Sequence, residues 1–433
     1  MPSKNRLESL RKKLTKVVGS EDLKSLAGAL ESTGEHVESA LGNERLDVIN
    51  IDGEALRKLG DGDFAHVSDG EMSRLEAIVE REGRQVAFIL GGMFEDLPDP
   101  WTHFNSPPIR NLIGEAIPAI GRVEKMSPSG RRTDHVGTGF IVGPRLMMTN
   151  RHVAEVFVRG AGPGPLIYSS GGAFDFGREK GFTPTDLKKT LTITGVKMVH
   201  PFWDMALLEL ADLPDTVKPL KLSALAPDEI VGREIATIGY PGRGKDTSPE
   251  ALELEAKHFG NIFGVKRIAP GEIDGRETTT SFRHPVPAMT HDCSTLAGNS
   301  GSAVLDVTTG EVVGLHFKGI TLKLNYSVPL YELARDRRVL EAGVSFTKRV
   351  PATDAWESWW RGLPGMEAAV QPPKAVVRGM SFEKEPEIDA DGSYSLTVPI
   401  TISVSLGGKA GAAGFVSVSD CAPAPEPHVP NAS

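Results

Sequence analysis

The chain opens on a helical pattern of apolar positions. Leu7, Leu10, Leu14 and Val17 recur at three- and four-residue spacing among lysines and arginines, which places them on one helix face. Ser20, followed by Glu21, Asp22 and Leu23, is a candidate cap for a second helix continuing at Leu26 and Leu30. Gly42, Gly53 and Gly60 interrupt the later pattern. Ser68 to Gly83 predicts another helix, with Met72, Leu75, Ile78 and Val79 on one side, and residues 85–90 predict a strand ending at Gly91 and Gly92. Residues 1–95 therefore read as a helical N-terminal region. It is either a subdomain packed on the rest of the chain or an adaptor that recruits a protein partner, and amphipathic spacing does not separate the two. Pro98, Pro100, Pro107 and Pro108 mark residues 96–109 as a linker.

From about residue 110 to 345 the texture changes to short β-branched or apolar runs punctuated by Gly, Pro and Asp. Residues 139–142, 191–194, 206–208, 235–238 and 311–315 are examples. Many short strands without alternating long helices favour a mainly β domain, an antiparallel sandwich or barrel, with room for two such units. Residues 346–433 read as a C-terminal extension. Trp356, Trp359 and Trp360 predict a helix against the β domain, Ser393 to Leu406 alternates as one or two strands do, and residues 422–427 have the composition of a disordered tail.

Length and charge narrow the function. A chain of 433 residues has room for two or three domains, and a formal net charge of −9 gives no electrostatic case for nucleic acid. No apolar run approaches 18 residues, and the first residues lack the apolar stretch of a secretory signal, so no membrane partner is expected. Two cysteines, Cys293 and Cys421, fit unpaired thiols in a reducing cytoplasm. No cofactor is expected. There is no paired-cysteine or His-Glu-x-x-His metal pattern, and His284 and His291 read as structural. The stretch from Gly239 to Lys245 approaches a phosphate loop, but Asp246 stands where a magnesium-binding Ser or Thr belongs.

The chemistry concentrates near residue 300. In Gly298-Asn299-Ser300-Gly301-Ser302 a serine sits between glycines, a setting for an exposed hydroxyl with the Gly298 and Ser300 N–H groups converging as an oxyanion hole. A serine hydroxyl needs a base, and the base needs an orienting acid. His152, in Thr149-Asn150-Arg151-His152 after a predicted hairpin over 137–147, is the candidate base. Asp204, before the apolar run Met205-Ala206-Leu207-Leu208, is the candidate acid.

In the order His152, Asp204, Ser300 these motifs resemble the chymotrypsin-like (trypsin-like) serine peptidases over roughly residues 115–335. The resemblance implies two six-stranded antiparallel barrels with the three residues in the cleft between them. With Ile238-Gly239-Tyr240-Pro241-Gly242 and Val313-Gly314-Leu315-His316-Phe317 the chain resembles most the bacterial glutamyl endopeptidase branch. That branch implies a pocket in which Thr295 and His316 bind a Glu side chain, or Gln as in viral relatives, with Ser294 at its base and Phe317 and Lys318 beside it. A hydroxyl and an imidazolium both donate to a carboxylate. Lys318 replaces a small residue, where it either attracts acidic substrates or obstructs the cleft. Asn299 replaces the aspartate to which digestive members bind a new N-terminal amine. More than 100 residues precede the barrel, so either this extension is removed or the pocket works without a terminal amine. The expected function is an intracellular serine endopeptidase acting on protein or peptide substrates, as a regulated effector. A peptidase fold kept as a binding module without turnover is the alternative.

Overall fold

The computed structural model describes residues 4–18, 23–24, 27, 53–68, 85–127, 129, 132–164, 166–167, 171–182, 190–244, 247–320, 324–363, 387–388 and 394–395. The chain divides into two compact units, residues 1–370 and 371–433. In the second, residues 387–388 pair antiparallel with 394–395. The rest of the strand pattern at 393–406, the tail at 422–427, and the helix expected beyond Ser68 lie outside the described residues.

In the first unit, helix α1 (Lys4–Val18) buries Leu7, Leu10 and Leu14, and helix α2 (Gly53–Asp61) buries Ala55, Leu56 and Leu59. Each leucine so buried contributes about 1.5–3 kcal/mol. The polar edge of α1 faces the β domain. Lys13 Nζ lies 2.6 Å from Asp274 and 2.8 Å from Asp292, and Lys16 Nζ lies 2.5 Å from Glu234 and 3.1 Å from Glu272.

Strand β1 (Ala87–Leu90), at the position expected from sequence, pairs with β2 (Met93–Phe94). Within the stretch read as a linker, Trp101 and Phe104 are buried, and Pro107 and Pro108 open helix α3 (Pro107–Ala116). Proline suits the first helical turn, whose N–H groups have no intrahelical acceptor. Those two prolines therefore start an element where the sequence suggested open chain.

Two sheets follow. The first contains β3 (Ile120–Met126), β4 (Arg132–Gly143), β5 (Leu146–Thr149), β6 (Gly162–Pro163), β7 (Gly172–Asp175), β8 (Thr190–Val199) and β9 (Ala206–Leu210), in the order β9-β5-β4-β3-β7-β8-β6. β9 also pairs with β8, so Ala206 faces Thr149 on one side and Val199 on the other. The second sheet contains β10 (Glu234–Gly239), β11 (Arg267–Ser281), β12 (His284–His291), β13 (Ala303–Asp306), β14 (Val312–Ile320) and β15 (Leu324–Pro329), with β1 and β2 added at the edge of β11. β10 pairs with β13 and with β11, Ile235 meeting Asp306 and Gly271, which closes a six-stranded antiparallel barrel. β1 joins it through Ala87 opposite Ile268. The fold is mainly β.

Helix α4 (Arg151–Ala154) follows β5, and α5 (Pro249–Phe259) follows β10. After the barrel come α6 (Leu330–Ala334), α7 (Arg337–Glu341) and α8 (Glu357–Arg361). As expected of the tryptophan cluster, Trp356 and Trp360 are buried against the β domain. Trp359 is 39% exposed, its ring centroid 4.4 Å from that of His284. Among the described residues, no helix is long and apolar enough to cross a membrane, and no cluster of potential metal ligands occurs.

Candidate active site

Every residue of β5 is buried, so the strand holds the start of α4 and its His152 firmly. Its pairing with β9 places Thr149 opposite Ala206, two residues beyond Asp204. This register brings the histidine and the aspartate side by side. His152 Nδ1 lies 2.7 Å from Asp204 Oδ2, and the His152 backbone N–H donates to Oδ1 at 3.0 Å. Asn150 is buried and its Nδ2 donates to the Asp204 carbonyl at 2.9 Å. The Nδ1 proton therefore faces the carboxylate, and Nε2 is left for proton exchange. Burial alone would lower the His152 pKa, but the hydrogen bond and charge of Asp204, helped by Glu155, raise it above the ordinary value of 6.5.

Ser300 lies in the loop between β12 and β13. Gly298 and Gly301 have φ of 92° and 91°, a left-handed conformation that favours glycine. The loop is braced by the first sheet. Thr138 N–H donates to the Ser300 carbonyl at 2.7 Å, and Thr138 Oγ1 donates to the Gly298 carbonyl at 2.8 Å. The same hydroxyl oxygen accepts the Tyr240 N–H at 3.1 Å, and Gly242 N–H donates to the Ala297 carbonyl at 2.5 Å. The near phosphate-loop sequence thus serves as a brace. The N–H groups of Gly298 and Ser300 donate to no described group, as an anion-binding pair requires.

A Cβ built on Gly137 would lie 2.9 Å from the Ser300 carbonyl oxygen and 2.6 Å from Val153 Cγ2, so the serine loop and α4 meet across this glycine. Ser300 Oγ makes no hydrogen bond to His152 in this structure. Such contacts are often long before substrate binds.

The expected pocket residues divide into two groups. Ser294, Thr295 and His316 are buried, and Asn325 on β15 lies directly opposite His291 on β12. Thr295 Oγ1 donates to Asn325 Oδ1, and Asn325 Nδ2 donates to the Cys293 carbonyl at 2.6 Å. His316 Nδ1 lies 3.3 Å from His291 Nε2. Burial pushes the His316 pKa well below its ordinary value, and the charges of His291 and His152 push it the same way. The pocket imidazole is therefore neutral and the threonine donor is already committed to Asn325, whereas the sequence suggested an imidazolium and a hydroxyl both ready to donate. Phe317 is buried in the hydrophobic core, its ring centroid 6.5 Å from that of Tyr326. Lys318 is exposed and donates to Thr279 Oγ1 at 3.0 Å.

Sequence reasoning missed Thr138, Asn150, Asn325 and Lys13. Only Asn150 had a signal, its place in the Thr-Asn-Arg-His run. Lys13 reaches Asp292, two residues before Ser294, so an internal ammonium holds the segment leading into the pocket. Burial would lower its pKa, but Asp292 and Asp274 raise it, and the lysine is charged.

Residues 137–315, a span that includes His152, Asp204 and Ser300, match the family model described as the trypsin-like peptidase domain. A probable serine protease of Lysobacter enzymogenes is 28% identical over 315 residues, covering 66% of this chain and 79% of that protein. The glutamyl endopeptidase of Staphylococcus aureus (strain MRSA252) is 27% identical over 207 residues, and the match spans 46% of this chain and 48% of that relative, about half its length. The crystal structure of Rv3671c protease from Mycobacterium tuberculosis, active form, aligns over 59% of this chain and 92% of that one, at 20% identity and a TM-score of 0.38. Residues 137–315 thus carry a trypsin-like peptidase domain, and the chain is similar to serine proteases over about two thirds of its length.

Proposed function

We propose that the chain is an endopeptidase that cleaves protein or peptide substrates through an acyl-enzyme on Ser300, with His152 as base and Asp204 as its orienting acid. The observation that carries this reading is the two-point hold of His152 by Asp204 beside the glycine-flanked serine loop. Ser300 Oγ attacks the scissile carbonyl carbon while its proton passes to His152 Nε2. The carbonyl oxygen becomes an oxyanion held by the Gly298 and Ser300 N–H groups. Collapse of this intermediate breaks the C–N bond, and His152 gives its proton to the leaving amine. Water then attacks the acyl ester by the same route and frees Ser300. Asp204 stabilises the imidazolium that forms at His152. The pairing of β9 with both β5 and β8 supports a second barrel for the first sheet, with the reaction in the cleft between barrels.

The pocket around Thr295, Asn325, His291 and His316 suits a Gln or Glu side chain before the scissile bond. A neutral His316 and a threonine oxygen free to accept match both ends of a carboxamide, so Gln binds as it is. Glu binds with uptake of a proton by His316. We read the protein as an intracellular effector, in keeping with a chain that has two cysteines in all, and α1 as the element through which a partner regulates it.

The test is labelling of the purified protein with a fluorophosphonate probe, wild type against Ser300→Ala. Labelling confined to the wild type is expected. Equal labelling of both would remove Ser300 from its role, and no labelling of either would favour a silent binding module.

A further inference from the structure

We propose that His200, Asp336 and Trp360 form a clamp that positions Asp204, making the helices after the barrel part of the catalytic apparatus. The inference rests on Asp204 being the orienting acid.

The argument starts with the tautomer of His200, which is fully buried. Its Nδ1 accepts the N–H groups of Phe202 at 3.0 Å and Trp203 at 2.9 Å. A ring nitrogen that accepts carries no hydrogen, so the proton is on Nε2. Nε2 faces Asp336 Oδ2 at 3.1 Å and donates to it. The same oxygen accepts Trp360 Nε1–H at 2.8 Å, while Oδ1 caps α7 by accepting the Arg338 N–H at 2.8 Å. Each polar group in this chain of contacts has a partner, and the whole is buried: His200 is 0%, Asp336 3% and Trp360 1% exposed. Burial favours neutral His200, while the hydrogen bonds from His200, Trp360 and Arg338 hold Asp336 ionised against its own burial.

These contacts shape one turn of backbone. Phe202 and Trp203 N–H converge on the imidazole, His200 N–H donates to the Met205 carbonyl at 2.9 Å, and Met205 N–H donates to the Trp203 carbonyl at 2.8 Å. Asp204 is the residue enclosed by these bonds. The barrel adds a third hold, since His284 Nε2 lies 2.9 Å from the Phe202 carbonyl oxygen. The turn is wrapped around an imidazole whose orientation is set by Asp336 and Trp360, and both lie beyond the residues that match the family model. A carboxylate that must meet both Nδ1 and the backbone N–H of His152 tolerates a displacement of only about 0.5 Å. Loosening the imidazole therefore turns the acid away from the base without touching the pocket.

The experiment compares Asp336→Ala, Asp336→Asn and Trp360→Phe with wild type in the full chain, reading the fluorophosphonate reaction as a maximal rate and a half-saturating concentration. Asp336→Ala is expected to lower the maximal rate about tenfold to hundredfold, below the loss of about ten-thousand-fold expected on removing the orienting function of the acid itself. The half-saturating concentration should stay within about twofold, because nothing in the pocket moves. Asp336→Asn keeps an acceptor for His200 and Trp360 and should recover much of the rate. Trp360→Phe keeps the ring, loses one donor, and should cost a few-fold. A merely structural role would lower the melting temperature and leave the maximal rate of the folded protein unchanged, which would overturn the clamp. If Asp336→Ala does not fold, an unchanged maximal rate in Trp360→Phe overturns it equally. A wild type that is not labelled overturns the assignment of Ser300, and the clamp falls with it.

Discussion

His152 and Asp204 are joined twice, by Nδ1 to Oδ2 at 2.7 Å and by the backbone N–H to Oδ1 at 3.0 Å. The second bond fixes the carboxylate plane, so the first can fix the imidazole tautomer. Asp204→Asn is expected to reduce kcat about ten-thousand-fold, because an amide that donates toward Nδ1 favours the wrong tautomer. A near wild-type rate of fluorophosphonate labelling in this variant would remove Asp204 from its role.

The same contact predicts a pH profile. A histidine acting as base, the role proposed for His152, must be neutral, and Asp204 raises the His152 pKa above 6.5 despite burial. Activity should therefore rise with pH through a midpoint above 6.5 and fall away below it. Labelling rates across pH 5 to 9 check this, and a midpoint below 6.5 contradicts it.

Discrimination between Glu and Gln should itself depend on pH. His316 is neutral in the empty pocket because burial, His291 and His152 all disfavour its charge. A bound carboxylate favours the imidazolium, so Glu binding takes up a proton and Gln binding does not. The ratio of kcat/KM for Glu over Gln peptides should fall as pH rises through neutrality. Paired peptides assayed from pH 6 to 9 would show it, and a flat ratio would count against His316 as the recognising group.

Thr138 connects the two sheets through one hydroxyl, which accepts from Tyr240 and donates to the Gly298 carbonyl. Thr138→Val has nearly the same shape but leaves the buried Tyr240 N–H unpaired, a loss of about 1–3 kcal/mol. The Gly298 peptide also loses its brace, so kcat should drop about tenfold while KM holds. Denaturant unfolding and steady-state kinetics on one preparation separate the two effects. Unchanged kcat would mean that the loop keeps its shape unaided.

Lys13 links α1 to Asp292, two residues before Ser294. Its pairs with Asp292 and Asp274 are mostly shielded, with the three side chains between 8% and 21% exposed. Lys13→Ala removes the ammonium from two neighbouring carboxylates and is expected to cost about 1–3 kcal/mol, less than for a fully buried pair. Because Asp292 leads into Ser294 and Thr295, KM should rise more than kcat falls. Lys13→Arg should restore most of both. A variant with unchanged KM would show that α1 is only a structural appendage.

The residues themselves determined the chemistry at hand. A histidine after an apolar hairpin, an aspartate before an apolar strand and a serine among glycines are local patterns, because strand alternation and turn glycines act over a few residues. The amphipathic face of α1 and most barrel strands were legible for the same reason. Only the tertiary structure decided what holds those residues and which proton they carry. Closure of the barrel rests on β10 meeting two partners far apart in sequence, and Pro107 and Pro108 became a helix start only because α3 forms there. Thr138 reaches Gly298 across 160 positions, Asn325 reaches Thr295 across 30, and Asp336 reaches His200 across 136. The neutral state of His316 follows from burial and from neighbours on other strands. Spacing along a chain encodes which way a side chain faces. What it faces, and how much water remains there to stabilise a charge, is set only when distant segments pack.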